Sequence, residues 1–296
     1  MTGSDDDPDG ALGDVAARIV RAAADEVRET WGAAKADEPD GVHQHRVRVR
    51  RLRSILAGLR DVLDPAAARR LRVRFDEWGA ELGTVRDLEV LAELARSALE
   101  DCGIDDAHMS RRLVTDVRAE YHRAHARLLV LADHPRAHER ERLLAAFADD
   151  PPIVEPAASA RSALARALRR EARRVRRAAK SADGTIETLH DLRKAGRRLR
   201  YNAEAVLAAA PDLFGDEVSE LAEAGDALHD ALGDHRDALV LGRSLELTRA
   251  RAGRAGEPVA GYDVLISHVA AGGERALHEV DDAVARARAA AGRLPS

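Results

Sequence analysis

Apolar residues recur at three- and four-residue intervals through almost the whole chain, and no stretch alternates apolar with polar over the length of a strand. The pattern predicts helices over about residues 11–35, 42–62, 64–100, 106–132 and 135–147, then over about 158–180, 185–209, 213–250 and 258–290. Between the two sets lies Asp150-Pro151-Pro152-Ile153-Val154-Glu155-Pro156, whose prolines break any helix and which reads as a linker. Residues 1–10, rich in Asp with Gly and Pro and with little to bury, read as a disordered acidic N-terminus. Each set holds four main helices with short loops, the pattern of an antiparallel four-helix bundle. The expected fold class is all-α, with a first bundle half over 11–150, a linker over 151–156 and a second half over 157–296.

The two sets are copies of one unit. His43 to Arg53 and His190 to Arg200 both fit H-x-x-R-x-x-x-R-R-L-R without a gap, at an offset of 147 residues. Leu82 to Leu91 and Leu232 to Leu241 both fit L-G-x-x-R-D-x-x-V-L, at an offset of 150. Two motifs repeated in the same order and nearly the same register mark a tandem duplication.

Composition agrees: Ala, Leu and Val dominate the apolar residues and aromatics make up 3%, as suits packed helices. The single cysteine, Cys102, leaves no partner for an internal disulfide. No apolar run approaches the roughly 20 residues of a membrane span, and the polar start does not resemble a signal peptide, so a soluble, cytoplasmic protein without membrane contact is expected. The net charge of −5 conceals a segregation. Residues 43–75 sum to +8 and residues 157–204 to +9, while residues 1–40 and 205–296 each sum to −7. Of the 47 basic residues 44 are Arg, whose guanidinium stays charged and grips two phosphate oxygens at once.

On a helix the signature makes a cationic ladder. Relative to His43, Arg46, Arg50 and Arg53 fall at about 300°, 340° and 280°, and Leu52, Leu56 and Leu59 lie opposite. In the second copy His190, Arg193, Arg197 and Arg200 share a face opposite Leu199, Ala203 and Val206, while Arg51 and Arg198 project sideways. Like charges at i,i+4 repel, and the acidic partners expected on an ordinary surface helix are absent within each ladder. The bland reading is a basic face neutralised by acids on other helices, such as Asp87 and Asp237; the sharper one is a receptor for a large polyanion.

The signature helix, the L-G-x-x-R-D helix and the duplicated layout resemble the CHAD domain (conserved histidine α-helical domain) family over about residues 11–292. That resemblance implies two four-helix bundles related by a pseudo-twofold axis around a basic central channel, with inorganic polyphosphate as the ligand and association with polyphosphate granules. It puts His43, Arg46, Arg50, Arg51 and Arg53 on one wall. His190, Arg193, Lys194, Arg197, Arg198, Arg200 and Tyr201 fall on the other. Ser54 stands where the second copy has Tyr201, and Val47 where it has Lys194, so an asymmetric channel is expected. The E-x-E-x-K signature of the triphosphatase domain fused to some members is missing, as in a stand-alone member.

Polyphosphate has no base edges to read, so arginines in series suffice to hold it, with affinity falling as salt rises. His43, near a helix N-terminus, and His190 would each gain a proton beside phosphate and tighten binding as pH falls from about 8 to 6. Arg72, Arg170, Arg173, Arg174 and Arg177 are secondary basic candidates, with Arg69, Arg70, Arg74 and Arg166 nearby. Arg86-Asp87 and Arg236-Asp237 read as structural interhelical pairs. His43 and His45, His122 and His125, and His134 and His138 superficially suggest a metal. Residues at i,i+2 of a helix face apart, however, and phosphoryl transfer wants carboxylate-held magnesium. No catalytic residue, metal or cofactor is therefore assigned. A nucleic-acid backbone is the alternative ligand and a phosphohydrolase a weaker one. The ladders offer a single stacking candidate, Tyr201, and no recognition helix, so no specific nucleic acid is expected. Acidic outer helices recruiting a protein partner would be compatible with either ligand.

Overall fold

The computed structural model describes residues 11–277 and 280–295, so the expected disorder of residues 1–10 falls outside the described residues. Among the described residues it is helical throughout, with no strand beyond two isolated bridges. The helices are α1 (Leu12–Lys35), α2 (Gly41–Gly58), α3 (Pro65–Asp101), α4 (Ala107–Ser110), α5 (Asp116–Ala132), α6 (Pro135–Asp149), α7 (Ala160–Ser181), α8 (Ile186–Ala209), α9 (Glu217–Arg254), α10 (Ala260–Ala276) and α11 (Val280–Arg293). The all-α class expected from the sequence is the one observed.

Two compact units are present, and they do not follow the two repeats. Of the described residues, the first takes 11–79, 134–229 and 281–295; the second takes 80–133, 230–277 and 280. The first unit therefore holds α1 and α2 from one repeat beside α7 and α8 from the other. The reason is apolar: α1 and α2 pack on each other and both pack on α7 and α8. Val15, Ile19, Val20, Leu52, Leu56, Leu164, Leu168 and Leu199 are all buried. Neither repeat keeps its apolar faces to itself, so residues 11–150 and 157–296 are not separate compact domains. In the second unit the later parts of α3 and α9 join α4, residues 111–115 and α10 around Leu99, Leu113, Leu241, Leu245, Tyr262 and Leu265. There Arg112 donates twice to Glu257, at 2.8 and 2.6 Å.

Several boundaries differ from expectation for local reasons. Helix α2 stops at Gly58 rather than near Val62, because Leu59, Val62 and Leu63 are buried in a turn instead. That turn is tied to the Pro-rich segment, with Asp64 N donating to Pro152 O at 2.7 Å and Val154 N to Val62 O at 2.8 Å. The expected linker is thus a strap, hydrogen-bonded also to the start of α1, where Gly13 N donates to Pro156 O at 2.8 Å. Asp40 does not cap α2 through its side chain; it sits at φ 61° and accepts from Gln44 Nε2 at 2.7 Å. The helix expected over 106–132 contains a π turn at Arg111–Thr115, a local widening that a 3.6-residue pattern does not register.

One buried polar cluster fixes the packing of α1, α2 and α3. His45 is 3% exposed, receives Trp78 Nε1–H on its Nε2 at 3.0 Å, and faces Thr30 Oγ1 with its Nδ1 at 3.0 Å. Indole N–H can only donate, so Nε2 is the acceptor and the neutral ring carries its proton on Nδ1, toward Thr30. The Thr30 hydroxyl donates onward to Glu26 O at 2.9 Å. Burial, helped by the Arg140 cation, pushes the His45 pKa down to about 4, and the same guanidinium lies 4.2 Å from the Trp78 ring centroid.

A histidine held neutral in the fold but protonated near 6.5 when unfolded gives stability that is complete above about pH 6.5 and is lost as pH falls toward 4. The loss from this group is about 2–3 kcal/mol by pH 4.5. Urea denaturation at pH 7 and 4.5 should show that component in the wild type and its absence in His45→Gln. An equal pH effect in both proteins would remove His45 from the account.

Candidate functional site

The two signature helices meet within the first unit, and they meet closely. A Cβ at Gly58 would overlap the carboxamide of Asn202, so the end of α2 can cross α8 only because residue 58 has no side chain. Asn202 Nδ2 uses the contact to donate to Ser54 O at 3.2 Å. At the next crossing, a Cβ at Gly225 on α9 would come within 2.7 Å of Arg200 N. Helix α8 is positioned at its start by Thr185, which accepts from Thr188 N at 3.4 Å, and by Asp183, which accepts from the Thr185 and Thr188 hydroxyls.

The ion pairs of the two copies correspond. Arg53 pairs with Asp76 and Arg200 with Asp226. Arg51 lies 3.5 Å from Glu26 on α1, and Arg198 lies 2.7 Å from Glu171 on α7. Across the crossing, Arg51 donates to Glu204 at 2.9 Å while Arg198 donates to the carbonyl of Ala57 at 3.0 Å, and residues 57 and 204 are equivalent at the signature offset of 147. Contacts that exchange between the copies in this way are consistent with duplication of one unit.

Beside these pairs lies a cluster of cations. Arg50 of α2 and Arg193 of α8 both act electrostatically on Arg197 of α8, and all three act on His229 of α9. Arg50 Nη2 donates to the Tyr201 hydroxyl at 3.4 Å, and Arg193 Nε to His229 O at 3.4 Å. Arg197 has neither. Its counterpart to Tyr201 is Ser54, whose hydroxyl donates back to Arg50 O at 2.9 Å. The buried Nε of Arg197 has no hydrogen-bond partner, and no acid pairs with its guanidinium among the described residues. Burial, then Arg50, Arg193 and Arg53, push its pKa down to about 9. The same field, with burial as its largest cause, pushes His229 down to about 2, so its imidazole is neutral at physiological pH. Such a site repels protons and cations and favours any anion that can reach it.

The CHAD domain family model matches residues 18–246 of the chain. The chain belongs to the CHAD family. An uncharacterized protein of Mycobacterium tuberculosis, found in strains H37Rv and CDC 1551, is 31% identical over 293 residues, covering 91% of this chain and 54% of the relative. The chain thus spans about half the length of the curated relatives it matches. The crystal structure of the CHAD domain from Ricinus communis superposes with a TM-score of 0.71 at 23% identity, covering 97% of this chain and 93% of that one. PptA from Streptomyces chartreusis gives 0.66 at 21%, covering 96% of this chain and all of that one. Identities this low speak for a shared CHAD fold.

Within this CHAD domain the expected ladder residues divide by role. Arg50, Arg193 and Arg197 converge on the cluster, with Tyr201 buried beside them at 4% exposed. His43 and Arg46 are half-buried further along α2, and His190 is exposed on α8. Arg51, Arg53, Arg198 and Arg200 hold acids, and Lys194 lies 3.3 Å from Asp191. Among the secondary candidates, Arg170 is taken by Asp61 and the carbonyl of Gly58, and Arg72 lies 4.0 Å from Asp76. Arg173, Arg174 and Arg177 stay exposed on α7. Asp87 meets Arg236 between helices at 3.6 Å, as expected of an interhelical pair, whereas Asp237 meets Arg236 within α9 at 3.1 Å and Arg86 pairs with Glu89 within α3 at 2.7 Å. Sequence reasoning missed His229. Its counterpart at the second offset of 150 is Gly79, so matching the repeats could not find it.

The division predicts opposite responses to neutral substitution. Arg198→Met strands the carboxylate of Glu171, which is 1% exposed, and should cost about 2–3 kcal/mol in urea denaturation, largely recovered by adding Glu171→Gln. Arg197→Met removes a repelled cation and should leave stability unchanged or raise it. Equal losses from both variants would mean that Arg197 is as structural as Arg198.

Proposed function

We propose that the Arg50–Arg193–Arg197–His229 cluster binds inorganic polyphosphate. The observation that carries this reading is Arg197: a guanidinium with a buried, unbonded Nε, without an acidic partner among the described residues, pressed among like charges. Holding it there is unfavourable in the empty protein, and a polyanion supplies the missing counter-charge. Arginines stepping along α2 and α8 suit a linear chain of phosphates, and the CHAD family has polyphosphate-binding members.

The ligand is held rather than turned over. The cluster itself is built of three arginines and a neutral imidazole, and the neighbouring carboxylates of Asp76 and Asp226 are engaged by Arg53 and Arg200. Polyphosphate is preferred over single-stranded nucleic acid, because the one aromatic ring on the ladders, Tyr201, is buried and has no face to offer a base. Association with polyphosphate granules follows if the long chain is the physiological ligand. Among the described residues no helix is long and apolar enough to cross a membrane.

Long-chain polyphosphate titrated into the protein at about 150 mM salt should bind with an affinity that falls steeply as salt rises. Arg50→Met/Arg197→Met should weaken it at least tenfold, and RNA at equal phosphate concentration should not displace it. Unchanged affinity in the double variant would overturn the assignment of the cluster; displacement by RNA would overturn the choice of ligand.

A further inference from the structure

The arginines of α7 do not form one wall beside the cluster. Arg170 is consumed by Asp61 and Gly58, and Arg173 turns with Arg169 and Arg176 toward α11. Arg174 and Arg177 instead line a groove of about 520 Å³ against α8, where Lys194 and Arg198 face them. We propose that this α7–α8 groove is a second anion site, which takes a short phosphate chain of about three units. It shares with the proposed function only the chemistry of its ligand.

Charge, size and divergence between the repeats support the assignment. Four cations line the groove and Asp191 is its one lining acid. Asp191 is engaged with Lys194, but the two side chains are 71% and 50% exposed, and so open a pair contributes less than ~1 kcal/mol. A multivalent anion can displace it. Glu171 lies beneath the groove, 1% exposed, anchoring Arg198 at 2.7 Å and meeting Arg174 at 3.6 Å. It fixes two of the cations in place without neutralising all four. From Arg174 to Ser181, which also lines the groove, α7 rises ~10 Å. That is room for a short chain, and the volume lies within the ordinary range for small-ligand pockets.

The first repeat provides the internal control. Glu26 on α1 plays toward Arg51 the part that Glu171 plays toward Arg198, which fixes the register between α1 and α7. In that register Arg174 and Arg177 correspond to Glu29 and Gly32, and the signature offset makes Lys194 correspond to Val47. The first copy therefore lacks three of the four cations; it keeps Arg51 and gains Arg48 where the second copy has Ala195, and both lie 3.5 Å from Glu26. Nothing in the helix pairing requires the cations at 174, 177 and 194, since the first copy packs the same helices without them.

Calorimetric titration of tripolyphosphate into the full chain tests the site, with sulfate at matched ionic strength as the control. One-to-one binding is expected, at least tenfold weaker in Arg174→Glu/Arg177→Glu, two exposed positions whose change leaves the core intact, and unchanged in Arg197→Met. No binding above the sulfate control, binding indifferent to the α7 substitutions, or binding lost in Arg197→Met would each overturn the second site. The long-chain titration of Arg50→Met/Arg197→Met reports on the first cluster separately, so failure of one site is not read as failure of the other.

Discussion

The close crossing of α2 and α8 is the constraint on which the first unit depends. Gly58 permits it and Asn202 seals it. It brings together two helices whose facing sides are both cationic. Apolar burial beneath them, from Leu52, Leu56, Leu199 and Val206, supplies the attraction, at about 2 kcal/mol for each large side chain. Repulsion between arginines must be offset locally, by Glu26, Asp76, Glu171 and Asp226 from surrounding helices and by Glu204 from α8 itself, beyond the signature. None of these lies within a ladder's own eleven-residue signature, which is why each ladder alone looks uncompensated in the sequence.

Compensation is selective. Arg51, Arg53, Arg198 and Arg200 are tied to carboxylates, while among the described residues no acid pairs with Arg197. The asymmetry between Tyr201 and Ser54 sharpens this, since Arg50 gains a phenol hydroxyl and its counterpart Arg197 gains nothing. A protein under selection for stability alone would replace Arg197 with an apolar residue. Retaining a half-buried cation among cations is the pattern of a site whose stability is set aside for a ligand.

Helix positions and the duplication were legible in the sequence because they rest on periodicity, which a single helix carries in full. Roles within the ladder were less so. The wheel put Arg50, Arg193 and Arg197 on their shared faces, yet it could not separate them from Arg53 and Arg200, whose acids stand 23 and 26 residues away. The strap at 151–156 looked like a linker because proline forbids helix, and its hydrogen bonds to residues 62–64 are long-range. His43 and His45 were two histidines in one motif; only the structure shows that His45 is the buried one, held between Trp78 and Thr30.

The two copies have used one frame for different ends. Residue 45 is a histidine in a polar core cluster, and its counterpart Leu192 is a plain buried leucine. The outer side of α1 is covered by α6, with Arg21 Nε donating to Ala148 O at 3.1 Å. The outer side of α7 meets α11 in the same way, with Arg169 donating to Leu294 O and Ala283, Ala287 and Ala290 buried, and arginines line grooves on either side of it. Packing against a neighbour and presenting a cationic groove are incompatible demands on one helix face, because a buried guanidinium needs a partner and an exposed one does not. Each copy sets a neighbour against its outer helix, α6 on α1 and α11 on α7, and the second copy alone places Arg174, Arg177 and Lys194 in the groove toward the signature helix; the shared crossing of α2 and α8 holds both copies in register.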